Sequence, residues 1–329
     1  MTRLAVIGAG AWGTALAIVA RQAGPTVTLW ARNPAIAATI NAEHQNRAYL
    51  PGIALDPRIA ATADAKAAFE RAEAVLLAVP AQFLRRILGA LRDHVPGGMP
   101  VLHCAKGIET GTLALMSQIG AELLPGSPYA VLSGPSFAAE VARGLPTAVA
   151  VAAVDGQVAG LFATALGSPH FRPYLSPDPI GAEIGGAVKN VLAIACGIVV
   201  GRGIGDNARA ALITRGLAEM VRLGAALGAD AQTFRGLSGL GDLVLTCTAV
   251  QSRNYALGLA LGRGAELGEA VAGGSSVIEG VATAAAVVEL AARLGIEMPV
   301  SEAVDAVLHR GAPIGETIER LLRRPYRSE

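Results

Sequence analysis

Leu4-Ala5-Val6-Ile7-Gly8-Ala9-Gly10-Ala11-Trp12-Gly13 decides the reading of this chain. An apolar strand runs into a G-x-G-x-x-G turn, and a helix-forming stretch, Thr14 to Ala23, follows directly. Each glycine has its own physical reason. Gly8 permits the tight turn, Gly10 lets backbone N–H groups approach a pyrophosphate, and Gly13 lets helix and strand pack closely. The helix N-terminus then faces the anion. A bare G-x-G-x-x-G is also compatible with a glycine-rich turn of no function; set between strand and helix, it reads as a dinucleotide site.

Moving outward, the second strand, Thr26 to Trp30, ends at Ala31-Arg32. An NAD-specific fold commonly carries an acidic residue there to hold the ribose 2′-OH, whereas a guanidinium suits the 2′-phosphate of NADP. Arg32 therefore predicts that NADPH is accepted alongside NADH, a solvated surface arginine being the plainer alternative. Short apolar runs at Ala74–Val79, Pro100–Cys104, Ala130–Leu132 and Ala148–Val154 then alternate with helical patterns around 81–92, 112–124, 136–143 and 156–166. Such alternation predicts an α/β domain with a doubly wound, mainly parallel sheet of the Rossmann type over residues 1–178. Ligands bind at the carboxyl edge of such sheets, which singles out Val79-Pro80, Ala105-Lys106-Gly107 and Ser133-Gly134-Pro135-Ser136. Lys106 would bring positive charge, and Gly134 and Ser136 would offer donors. The plainer alternatives are a helix cap for Ser136 and a surface charge for Lys106.

From about Ser176 the strand signal stops. Amphipathic patterns at 180–199, 207–228, 251–262, 279–294, 300–309 and 315–323 predict an all-helical domain over 179–329. Within its first helix, Ala187-Val188-Lys189-Asn190-Val191 places one lysine among small and apolar residues. Ala182, Gly185, Gly186, Ala193 and Cys196 form a face of small side chains that would let another body approach, and an ammonium there is suited to proton transfer. A lysine whose stem packs on the core while its head reaches water is the ordinary alternative. Two later segments are unusually polar. Gln251-Ser252-Arg253-Asn254 offers a permanently charged fork with flanking donors, suited to phosphate; Ser252 also reads as a plain helix cap. Gly239-Leu240-Gly241-Asp242-Leu243 supplies a carboxylate that could orient Lys189 or accept from a hydroxyl, and Glu279 could accept from cofactor hydroxyl or amide groups.

Composition narrows the function classes. Lys plus Arg (27) nearly cancels Asp plus Glu (26), and aromatic residues make up only 4%, so no basic footprint or stacking platform for nucleic acid is evident. Cys104, Cys196 and Cys247 are far apart and lack C-x-x-C spacing, which fits free thiols in a reducing cytoplasm; neither they nor the histidines form a metal motif. No apolar span of about 20 residues runs free of charges and glycines, so no integral membrane segment is expected.

The chain resembles bacterial NAD(P)-dependent glycerol-3-phosphate dehydrogenase. The resemblance rests on Gly8 to Thr14, Ala105-Lys106-Gly107, Ser133 to Phe137, Gly186 to Asn190, Leu212-Ile213-Thr214-Arg215-Gly216, Gly239 to Leu243 and Gln251 to Asn254, in that order along nearly the whole length. It implies a cytoplasmic enzyme that interconverts dihydroxyacetone phosphate and sn-glycerol 3-phosphate with NAD or NADP and feeds glycerophospholipid synthesis. Lys189 would be the catalytic acid/base. Lys106, Gly134, Ser136, Lys189, Asp242, Ser252, Arg253 and Asn254 would touch substrate; Gly8, Gly10, Trp12, Gly13, Arg32, Lys106, Ala138, Arg253, Val277 and Glu279 would touch cofactor. Gly201-Arg202-Gly203-Ile204-Gly205-Asp206 departs from the pattern by carrying charges. The apolar helical faces make a homodimer the expected assembly. A dehydrogenase of 3-hydroxy or sugar acids and a non-catalytic NAD(P)H sensor are the competing readings.

Overall fold

The computed structural model describes residues 1–272 and 277–325. The chain divides into two compact units, Met1–Lys106 with Ala114–Glu183, and Gly107–Leu113 with Ile184–Glu329. The main division therefore falls inside the long helix Pro179–Gly201, past the 178/179 position read from the sequence.

The first unit holds ten strands among its described residues: β1 (Arg3–Ile7), β2 (Thr26–Trp30), β3 (Gln45–Asn46), β4 (Leu50–Ala54), β5 (Ile59–Thr62), β6 (Ala74–Leu77), β7 (Val101–His103), β8 (Tyr129–Ser133), β9 (Thr147–Ala152) and β10 (Phe171–Ser176). Eight of them form one sheet in the order β10-β9-β8-β7-β6-β1-β2-β5. All neighbours pair in parallel except β8 with β9. Alternation along the strands explains the layering. Leu4, Val6 and Leu76 enter one apolar cluster while Ala5, Ile7, Val75 and Leu77 enter another, so both faces of the sheet are covered. The chain leaves β1 toward β2 and β5, then returns to place β6 on the other side of β1. That reversal is the switch point at which such sheets bind ligands.

β5, β10 and the antiparallel β3–β4 pair do not stand out in the sequence. β10 carries Pro173, which argues against a central strand, yet it is an edge strand, where proline is tolerated. The β3 strand is too short to show alternation.

Among its described residues the second unit has helices and no strand, the segment Gly107–Leu113 forming turns. Its longer helices are the Ile184–Gly201 part of Pro179–Gly201, then Asp206–Ala226, Arg253–Gly262, Glu279–Leu294, Pro299–His309 and Ile314–Leu322. Pro299 occupies the first helical turn and Gly295 ends the preceding helix in the left-handed region, the expected punctuation. Between the first two helices, Gly203 and Gly205 take positive φ (69° and 100°), and Asp206 pairs with Arg209 at 2.9 Å at the next helix start. Of that loop's charges, Asp206 thus serves the helix N-terminus.

The small-residue face of Pro179–Gly201 is filled by this chain itself. A Cβ on Gly185 would lie 2.2 Å from the Ser238 carbonyl oxygen, and one on Gly197 would lie 2.2 Å from that of Tyr255. Reciprocally, a Cβ on Gly258 would meet the Ile194 oxygen at 2.1 Å. The approaching body is thus the chain's own backbone. By length and composition this helix could cross a membrane, but 89% of its apolar window is buried within the protein, as in a core helix.

Candidate active site

In the first unit, the glycine turn leaves the carboxyl end of β1. Gly8 has φ +114°, and a Cβ there would press within 2.6 Å of the Ala78 oxygen; a Cβ on Gly13 would overlap the Gly8 oxygen at 1.8 Å. These two glycines are demanded by turn and packing. Gly10 differs, because nothing lies within 4 Å of its virtual Cβ. Its backbone therefore borders open space, where a pyrophosphate would sit against the start of helix Ala11–Ala23. That helix has neither a side-chain cap nor an acidic residue in its first turn, so its positive end is not neutralised. The turn thus fits a dinucleotide. Trp12 in the same turn has a buried indole nitrogen without a hydrogen-bond partner.

Arg32 lies exposed just past β2, beside Asn33, whose side chain caps the following helix. The loops after β7 and β8 do meet. Lys106 Nζ donates to the Gly134 carbonyl at 3.0 Å, and the Ser136 hydroxyl donates to the same oxygen at 2.9 Å. Gly134 has φ +130°, a conformation open mainly to glycine. Ala138 begins the helix Ala138–Ala142, its methyl packed on the apolar core.

In the second unit, Lys189 is 7% and Asp242 1% exposed, and their Nζ and Oδ1 atoms lie 2.5 Å apart. Thr246 Oγ1 is a second partner of the ammonium at 3.0 Å. Asp242 follows directly on a π-helical turn, Leu237–Gly241. Such a turn is common where a side chain must be re-aimed at a functional position. Gly239 makes it possible, since a Cβ there would fall 2.1 Å from the Phe234 oxygen. Cys247, next to Thr246, is a free thiol held well above the ordinary thiol pKa by its hydrogen bond with Cys196 and by burial, so it packs rather than reacts.

The phosphate-type segment is tied to the same helix. Asn254 Nδ2 donates to Asn190 Oδ1 at 2.9 Å, while Asn254 Oδ1 accepts from the Gly280 N–H at 2.9 Å. Ser252 accepts from the Tyr255 N–H at 3.2 Å, so the plain cap reading holds, and its hydroxyl proton remains to be donated elsewhere. Arg253 Nη1 donates to the Val277 carbonyl at 2.6 Å, within electrostatic reach of Glu279. Lys189, Asp242, Ser252, Arg253, Asn254, Val277 and Glu279 thus belong to one connected set. Thr246 and Asn190, which the sequence marks only as neighbours of Asp242 and Lys189 with no role of their own, join it. The signal for Thr246 was its spacing of one helical turn after Asp242. Among the described residues no group of three or more His, Cys, Asp or Glu side chains comes together to hold a metal.

Comparison with known proteins places these features in a family. Residues 3–159 match the family model described as NAD-dependent glycerol-3-phosphate dehydrogenase N-terminus, and residues 178–319 match the corresponding C-terminus. A glycerol-3-phosphate dehydrogenase [NAD(P)+] from Rhodospirillum rubrum is 58% identical over 326 residues, covering 99% of this chain and 93% of that protein. A crystal structure of glycerol-3-phosphate dehydrogenase from Coxiella burnetii is 40% identical with TM-score 0.94, covering 98% of this chain and 99% of that one. A yeast glycerol-3-phosphate dehydrogenase structure, from Saccharomyces cerevisiae, is 29% identical with TM-score 0.83, covering 97% and 98%. With both family models spanning the chain and this identity over its whole length, the protein belongs to the NAD-dependent glycerol-3-phosphate dehydrogenase family.

Proposed function

We propose that this chain interconverts dihydroxyacetone phosphate and sn-glycerol 3-phosphate with NADH or NADPH, and that Lys189 is its general acid/base. The carrying observation is the buried Lys189–Asp242–Thr246 cluster. Bound NAD(P)H supplies the hydride for C2 of the ketone. As the carbonyl oxygen gains charge, Lys189 Nζ delivers a proton to the forming alkoxide; in the reverse direction the neutral amine removes the hydroxyl proton. Asp242 and Thr246 hold the nitrogen in place, so little reorganisation is needed as charge develops.

The phosphate falls to Arg253, Ser252 and Asn254. Arg253 spends one N–H on Val277 and keeps the rest of its fork. Asn254 likewise keeps one amide N–H beyond the one given to Asn190. Binding energy on a remote phosphate is useful because it aligns the carbonyl for transfer. On the cofactor side the glycine turn would hold the pyrophosphate and Arg32 a 2′-phosphate, with Trp12, Ala138, Val277 and Glu279 as further contacts. Lys106, Gly134 and Ser136 add donors for substrate.

A cytoplasmic location, a role in supplying glycerophospholipid synthesis and a homodimer complete the proposal. The dimer is supported by an apolar groove of about 780 Å³ in the helical unit, lined by Ile198, Leu212, Val304 and Ile318 among others, with the exposed Ile204 and Leu322 part of the same lining. Exposed apolar surface of this kind favours a protein partner, here a second copy. Sedimentation of the purified protein tests it.

The activity is tested by the loss of NADPH absorbance with dihydroxyacetone phosphate, repeated with NADH and with unphosphorylated dihydroxyacetone. Turnover with the phosphorylated ketone is expected. Arg253→Ala should raise its KM by about 10–100-fold, the worth of one or two charge-assisted bonds, and leave the poor reaction of the unphosphorylated ketone unchanged. Equal losses on both ketones would sink the phosphate assignment.

A further inference from the structure

We propose that Asn46 is a positioning residue for the cofactor's pyrophosphate, acting through the Ala9–Gly10 peptide. Asn46 lies in β3, remote in sequence from the glycine turn, and is 1% exposed. Its amide nitrogen donates to the Ala9 carbonyl at 2.9 Å and to Thr14 Oγ1 at 2.8 Å. Its oxygen accepts from the Tyr49 N–H at 3.3 Å. One side chain therefore grips the turn at two points, within the glycine motif and at the first turn of the helix that follows.

The consequence comes from peptide geometry. No peptide bond in the described chain is cis, so the Ala9 C=O and the Gly10 N–H point in opposite directions from one plane. Pinning the carbonyl toward Asn46 aims the Gly10 N–H away from it. Gly10 is also the residue whose Cβ would project into open space. The Ala9 oxygen lies outside the helix ladder, which begins with Thr14 N–H donating to the Gly10 oxygen at 3.0 Å. Without Asn46 the Ala9–Gly10 plane loses its anchor. A rotated plane would set a carbonyl oxygen where an N–H should meet a phosphate. Aspartate cannot replace this function, because an ionised carboxylate has no proton to donate. The same amide ties the turn to the β3–β4 hairpin, so cofactor binding and hairpin order reinforce each other.

This inference rests on the dinucleotide reading of the turn, and the test separates the two. Binding of NADPH and of NADH is followed by quenching of Trp12 and Trp30 fluorescence in the full-length protein and in Asn46→Ala and Thr14→Val. Failure of the wild-type protein to bind either nucleotide would overturn the reading of the turn itself. With wild-type binding in hand, Asn46→Ala should weaken both nucleotides by the same factor, about tenfold, because the pyrophosphate is common to them. The KM for the nucleotide rises alike, while kcat at saturating nucleotide and the KM for ketone hold. A merely structural role predicts the reverse, less active protein with an unchanged nucleotide KM, and that result overturns the proposal. Thr14→Val keeps the volume and removes one acceptor, so it gives a smaller rise. Should Asn46→Ala not fold, wild-type affinity in Thr14→Val would likewise overturn it.

Discussion

Lys189 Nζ lies 2.5 Å from Asp242 Oδ1 with both side chains buried. Two charges taken out of water are tolerable only while each has the other, so the pair is costly to break by halves. Lys189→Met should lower kcat by about 10²–10⁴-fold and destabilise the protein by about 3–5 kcal/mol, because Asp242 is left without its cation. Adding Asp242→Leu should restore much of that stability and none of the activity. Urea unfolding of both variants beside steady-state rates checks this; normal turnover in Lys189→Met would remove the lysine from the mechanism.

Arg32 is exposed at the end of β2, where the ribose of a dinucleotide is expected. Its role is discriminating rather than essential, since only NADPH carries the 2′-phosphate. Arg32→Asp should raise the KM for NADPH by about 10–100-fold and leave that for NADH within about twofold. A parallel change in both constants, or none, would assign Arg32 to the solvated surface.

Much of this architecture was legible in advance, and what was missed has a common cause. The β1 strand, its glycine turn and the helix after it were readable because each uses local rules: alternation, φ requirements and helix initiation. Lys189 was readable because charge among small residues conflicts with burial. Thr246 and Asn190 stand in legible motifs, but their roles are not legible there, because those come from contacts at long range, with Lys189 and Asn254 respectively. The same holds for β10, whose Pro173 hides it locally and whose place at the sheet edge rescues it. The small-residue face is legible as a surface of close approach, but the identity of the approaching body is not. Periodicity reports that something comes near, and only the fold says that it is the Ser238 and Tyr255 backbone.

Two buried titratable groups in the first unit should oppose each other in the pH profile of stability. Burial raises the Glu183 carboxyl from 4.5 to about 7, against the pull of the Ser117 N–H and hydroxyl that donate to it. The folded state then holds a proton that the unfolded state has released, so stability falls as pH rises through that window. Burial lowers the His103 ring from 6.5 to about 4. Here the unfolded state holds the extra proton, and stability rises with pH between those values. Tyr129, edge-on to His103 and pushed upward by burial and by Glu183, titrates above the window. Each slope approaches about 1.4 kcal/mol per pH unit, and where they overlap they largely cancel. Glu183→Gln should expose a profile rising from pH 4 to 6.5, and His103→Leu one falling from 4.5 to 7. Chemical unfolding at stepped pH decides it, and profiles parallel to wild type in both variants would refute the opposition.

Gly10 and Gly13 share a motif but face different constraints, which a single methyl group can separate. At Gly13 the added carbon would overlap the Gly8 oxygen at 1.8 Å, and relief requires moving the strand end or the helix. Gly13→Ala should therefore destabilise the nucleotide-free protein, by about 1–3 kcal/mol as for other overpacked sites. At Gly10 the backbone sits at φ −74° and ψ −179°, open to alanine, and the methyl meets nothing within 4 Å. Gly10→Ala should leave the nucleotide-free melting temperature near wild type while weakening NADH and NADPH together, since the methyl enters the space that backbone N–H groups share with the pyrophosphate. Melting curves with and without nucleotide distinguish the two. If Gly10→Ala bound nucleotide as wild type does, the open space beside that residue would belong to solvent rather than to the cofactor.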